Sequence, residues 1–104
     1  MDEKDLFTSV SDSMRLVSCG ISVETASFYC IRNSRGMGAN RYTVPQLVTD
    51  KMVYEFMKND VFIVVPRWCI QDLVMLGAKF THKGSFSTDI ADMVNQVVKR
   101  NTGP

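Results

Sequence analysis

The apolar positions of this chain follow two rhythms. Leu6, Val10, Met14 and Val17 recur at helical spacing and predict a helix over Asp5–Cys19, with Arg15 near its end and Gly20 as its stop. Ser22 reads as the N-cap of a second, short helix that carries Glu24 in its first turn and ends near Ser27. From Phe28 to Asn33 the rhythm changes: FYCIRN is rich in aromatic and β-branched residues and predicts a strand. Ser34–Asn40 (SRGMGAN) is a glycine-containing turn, and Arg41–Val48 resumes an extended pattern through Tyr42, Val44 and Leu47. A hairpin across 34–40 follows, and Pro45 makes its second strand an edge strand or ends it early.

Asp50–Asn59 fits helix and strand templates alike, and we read it as a short helix. Val61–Val65 is a continuous apolar, β-branched run and predicts a buried strand ended by Pro66. A core helix is expected over Trp68–Leu76, closed by Gly77. Ala78–Lys83 reads as a short strand and Gly84–Phe86 as a turn. Ser87–Arg100 is the best-signalled helix, with Ser87 as cap, Asp89 and Asp92 early, Lys99 and Arg100 late, and a stripe of Ile90, Met93, Val94, Val97 and Val98. Together these elements predict one α+β domain over residues 1–104: a small sheet of three or four strands including a hairpin, packed against three to five helices. Val61–Gly77 holds the longest apolar run and the only Trp, so it marks the centre of the core.

Composition narrows the function classes. A hydrophobic fraction of 45%, a charged fraction of 22% and a net charge of +1 are ordinary for a globular domain and exclude a strongly basic nucleic-acid coat. Three widely spaced cysteines, Cys19, Cys30 and Cys69, do not make a disulfide framework, so a reducing cytoplasm is expected. The acidic start MDEKDLF lacks the apolar stretch of a signal peptide, and no apolar run reaches the about 20 residues of a membrane span.

Two segments resemble a known group. SMRLVSCGISVETA (Ser13–Ala26) is similar to the LxxLGxxxETADM opening of short uncharacterised proteins of gut Bacteroidetes, their phages and mobile elements. PRWCIQDLVML (Pro66–Leu76) is similar to their PAWSLxxLLxLL segment, and FSTDIADMVNQVV (Phe86–Val98) stands where their closing amphipathic helix stands. This chain has Ser27-Phe28 where the group has Asp-Met, and Arg67 and Cys69 where it has Ala and Ser, the last a weaker N-cap. The resemblance implies a small cytoplasmic accessory protein of phage or mobile-element origin. It brings no catalytic residues, because no activity is established for the group.

Chemical motifs are sparse. Cys69, at an expected helix start, and His82, the only histidine, are the best ingredients of a thiol catalyst, but a small core or cap residue and a strand-end surface histidine are the favoured reading of them. No metal-ligand spacing and no phosphate-loop or dinucleotide signature occurs, so neither metal nor cofactor is expected. Charge placement says more. Residues 25–49 hold no acid but carry Arg32, Arg35 and Arg41, and residues 73–88 hold no acid but carry Lys79, His82 and Lys83. If the hairpin and the 78–83 strand share a sheet, these residues join Arg67 in a basic face, with Tyr29, Tyr42 and Phe80 available for stacking. Scattered cations that merely solvate strands and turns would look the same. The methionines Met52, Met57, Met75 and Met93 read first as core fillers and second as an adhesive surface. The functional expectation is therefore a non-enzymatic interaction or regulatory module acting through a protein partner or self-association, a homodimer included. The alternative is a nucleic-acid or anion binder using Arg32, Arg35, Arg41, Arg67, Lys79 and Lys83.

Overall fold

The computed structural model describes residues 6–33, 41–49 and 62–102. In chain order they form α1 (Val10–Ser18), a single 3-10 turn (Val23–Thr25), β1 (Phe28–Asn33), β2 (Gln46–Leu47), β3 (Phe62–Arg67), α2 (Ile70–Met75) and α3 (Phe86–Thr102). The strands make one antiparallel sheet in the order β2–β1–β3, so the fold is α+β as the pattern predicts. The SRGMGAN turn with Arg35, and the helix expected over 50–59 with Met52 and Met57, lie outside the described residues.

The β1–β2 hairpin contains a bulge. Phe28 pairs with Leu47 and Tyr29 with Gln46, yet Arg32 pairs with Tyr42. Two residues of β1, Cys30 and Ile31, therefore face three on the other side, Thr43, Val44 and Pro45. Proline has no N–H to give a ladder, and an edge strand at a bulge is where it is tolerated. The Ile31 N–H is taken by the Thr43 hydroxyl at 2.9 Å, and the Thr43 N–H donates to the Ile31 carbonyl at 2.9 Å.

The core is centred on Trp68, which is fully buried among Leu16 of α1, Leu73 of α2, Ile90, Met93, Val94 and Val97 of α3, and Ala26 and Ala78 of the connections. α1 packs on β3 and α3, and α2 packs on α3. The stripe expected on α3 is thus the buried one. On α1 the face differs from expectation: Ser13 and Leu16 are buried, Val17 is half-buried, and Leu6 and Met14 are exposed.

That difference follows from where α1 begins. Its N-cap is Ser9, whose hydroxyl accepts from the Asp12 N–H at 3.1 Å, and the helix does not reach back to Asp5. Thr8 cannot be helical because its backbone is committed elsewhere. Its N–H donates to the Trp68 carbonyl at 2.8 Å, and its hydroxyl accepts from the Trp68 N–H at 3.1 Å.

Pro66 does not end β3. It lies within the strand opposite Tyr29, and β3 is an edge strand, so its missing donor costs no ladder bond. α2 accordingly begins later than expected, with Trp68 in the junction and Cys69 as the N-cap. Ala78–Lys83 is not a strand: the Lys79 N–H and carbonyl and the Lys83 N–H bond to α3 side chains rather than to a ladder. The cap of α3 is Ser85 rather than Ser87: its hydroxyl accepts from the Thr88 N–H at 3.2 Å, and its carbonyl accepts from the Asp89 N–H.

Both shorter helices stop at glycine in the same way. After α1, Gly20 and Ile21 donate to Val17 and Leu16, and after α2, Gly77 and Ala78 donate to Val74 and Leu73. This paired closure needs a left-handed residue, and φ is 95° at Gly20 and 96° at Gly77. A Cβ would meet nothing within 4 Å at Gly20, whereas at Gly77 it would strike the Arg100 guanidinium, the mobile end of a long side chain. Gly20→Ala and Gly77→Ala should each lower unfolding free energy by about 1–2 kcal/mol through backbone strain. Urea denaturation measures this; because Arg100 can swing aside, Gly77→Ala should exceed Gly20→Ala only slightly.

Candidate functional site

Two buried carboxylates organise the chemistry outside the hydrocarbon core. Asp72, in the first turn of α2, is 7% exposed. It accepts from the Ser27 N–H at 2.9 Å, the Ser27 hydroxyl at 2.6 Å and the Cys69 N–H at 3.2 Å. It therefore ties the start of α2 to the entry of β1, and no step of a reaction is needed to explain it. The C-x-x-D spacing of Cys69 and Asp72 is the reciprocal half of a capping box and was the available signal for it.

Asp89, in the first turn of α3, is 1% exposed. Its Oδ2 lies 2.6 Å from His82 Nδ1, and its Oδ1 accepts from the Lys83 N–H at 2.8 Å. Burial alone pushes its pKa up, but the hydrogen bonds from His82 and the Lys83 backbone, with the charges of those residues, outweigh burial and hold it below the usual carboxylate range. An ionised Asp89 keeps the shared proton on Nδ1 and fixes the imidazole plane. The His82 ring is 4.9 Å from Phe86, and Phe80 stacks at 6.4 Å from both rings. Half of the His82 side chain remains open to solvent.

Cys69 and His82 do not form a thiol dyad. Cys69 faces Asp72 at the start of α2, while His82 is committed to Asp89 and the phenylalanines. Burial, reinforced by the Asp72 charge, raises the Cys69 thiol above its ordinary value, the reverse of what a thiolate nucleophile needs.

No strand forms over 78–83, so the sheet expected to join the basic residues is not built. Arg67 is buried, donating through Nε to the Thr8 carbonyl at 2.6 Å and lying 3.4 Å from Cys30 Sγ through Nη1, so it is removed from any surface. Arg32 lies over the Tyr42 ring, 5.5 Å from its centroid, with Arg41 exposed beside it in sequence. Lys79 and Lys83 are exposed on the other side of the chain order, between α2 and α3, and Lys83 is 3.8 Å from Asp92.

Among the described residues no cluster of three His, Cys, Asp or Glu side chains could hold a metal ion. A shallow groove of about 350 Å³ lies between α1 and the end of α3, with Met14, Arg15, Cys19 and Val98 among its lining residues. Arg15 is already paired with Asp12 at 3.1 Å. Of the two methionines in that set that are described, Met75 is 78% exposed and Met93 is core. No described helix is long and apolar enough to cross a membrane. Comparison with protein families, with curated proteins and with solved structures found no match to the chain.

Asp89 makes stability depend on acidity. Its folded pKa is depressed, so its contribution is present above the unfolded carboxylate value of about 3.9 and is lost as pH falls through the lower folded value. Asp89→Asn should therefore be less stable than wild type at neutral pH, and the gap should close below about pH 4. A gap in urea midpoint that is unchanged from neutral to acid pH would contradict this. For Cys69, alkylation by iodoacetamide at mildly alkaline pH should be slower than that of free glutathione, read by mass spectrometry of the peptide containing Trp68 and Cys69.

Proposed function

We propose that this chain is a small non-enzymatic interaction module that pairs with a protein partner or a second copy of itself along the free side of β2. The observation that carries this reading is the character of that edge. Among the described residues β2 is an outer strand of the sheet, and Val44 and Leu47 are each 58% exposed. From Tyr42 to Thr49 there is no charged residue. Exposed edges in monomeric proteins are usually guarded by charge, because their unpaired N–H and C=O groups template further pairing. Val48 donates to Ser27 at 2.8 Å, so by antiparallel alternation the neighbouring Leu47 turns both backbone groups away from β1. Pro45 and the bulge confine the pairable stretch to the residues after them. Association through so short an edge is weak and rises with concentration. The similarity to phage and mobile-element accessory proteins fits an adaptor of this kind acting in the cytoplasm.

A second reading, nucleic-acid or anion binding, draws support from exposed Arg41 beside the Arg32–Tyr42 pair, and from Lys79 and Lys83 next to the half-open Phe80 ring.

Sedimentation velocity tests the first reading. The mean sedimentation coefficient should rise with protein concentration, and Leu47→Lys, which places charge on the edge, should return the protein to monomer without changing its thermal midpoint by more than about a degree or two. A monomer at every concentration, together with no partner recovered by an edge-dependent pull-down, would remove it.

A further inference from the structure

We propose that residues 78–85, the connection between α2 and α3, form a binding site for single-stranded nucleic acid. The proposal rests on the nucleic-acid reading above and moves its centre from the hairpin to this connection.

The segment is irregular, yet its backbone is pinned at both ends. The Lys79 N–H donates to Gln96 Oε1 at 2.9 Å, and the Lys79 carbonyl accepts from Gln96 Nε2 at 3.0 Å. One side-chain amide thus supplies what a neighbouring strand would. At the other end, Asp89 takes the Lys83 N–H and the His82 ring nitrogen. Phe80 and His82 lie between these anchors, and Phe86 at the start of α3 adds a third ring. Phe80 and Phe86 lie 6.4 Å apart with planes only 12° from parallel, and His82 stands against both at interplanar angles of 26° and 30°. Phe80 nevertheless remains 42% exposed.

A rigid aromatic surface left open to water is not explained by core packing. It has what stacking on a base requires: flat apolar faces whose orientation is set in advance. Lys79 and Lys83 flank the rings and are exposed, as phosphate contacts need to be. Asp92, 3.8 Å from the Lys83 ammonium, offsets part of that charge. The chemistry is therefore stacking first and charge second. An acidic peptide would meet the same lysines but would make no use of nearly parallel rings. Duplex DNA would offer the phosphates but keep its base faces covered.

Fluorescence anisotropy of labelled oligothymidylate with the full chain tests this. Saturable binding is expected at low salt, tighter than for a duplex of the same length and not displaced by a polyglutamate peptide. Phe80→Ala should weaken it by about tenfold. Phe80→Leu, which retains apolar packing and removes the π face, should weaken it similarly while keeping the wild-type thermal midpoint. Lys79→Ala should reduce the slope of log affinity against log salt by about 0.7. Lys99→Ala, which removes an exposed charge from the last turn of α3, should leave affinity unchanged. Polyglutamate competing as well as oligothymidylate would overturn the proposal in favour of an acidic protein partner. Loss with Arg41→Ala and none with either Phe80 variant would overturn it while leaving the hairpin reading intact. No binding to any probe at low salt would remove both.

Discussion

The structure depends on the way Trp68 leaves the sheet. β3 ends at Arg67 and α2 begins at Ile70, so two residues must turn an edge strand into a helix. Such a junction strands backbone groups inside the protein, and a buried unpaired amide costs about 1–3 kcal/mol. Thr8 resolves this by spending every polar group it has on the junction. Its N–H and hydroxyl take the Trp68 backbone, its carbonyl takes Arg67, and its hydroxyl also meets Ser13 at 2.7 Å. The indole N–H is satisfied by the Thr25 hydroxyl at 2.9 Å. With its polar groups paired, the ring can sit at zero exposure in the centre of the helices.

The same device recurs at the two later connections. A carboxylate in the first turn of a helix reaches across to the backbone of another segment: Asp72 to Ser27, Asp89 to Lys83. A first-turn acid is favoured by the helix dipole, and burial then makes its hydrogen bonds strong. These acids substitute for a larger sheet. Among the described residues the sheet has three strands and a two-residue edge, and side chains hold the connections around it. Among the described residues, the surfaces left open include the backbone edge at β2 and the aromatic side chains at the pinned connection.

Local chemistry made much of this legible in the residues. β1 was readable to its ends because FYCIRN has no competing helical pattern. Gly20 and Gly77 were readable as stops because a left-handed position selects glycine wherever it occurs. The start of α1 was not, since Leu6 continues the helical spacing and only the pairing of Thr8 with Trp68 shows why the chain is extended there. Pro66 misled for a related reason: its missing donor breaks a central strand but not an edge, and edge position is a property of the assembled sheet. The candidate site was half visible. Phe80, His82 and Lys83 could be named from composition, but Asp89 could only be read as a dipole complement until His82 was seen bound to it.

What the sequence determined by itself is whatever depends on neighbours along the chain: the α+β class, the apolar stripe of α3, the strands at Phe28 and Phe62, and the glycine stops. Tertiary structure alone decided which charges are surface and which are framework. Arg67 and Arg41 are alike as letters, yet one is buried against Thr8 and Cys30 and the other is exposed. The reason is physical: a charged group's role is set by the partners and solvent it meets, and those come from segments distant in sequence. Thr8 lies 59 positions from the arginine it holds.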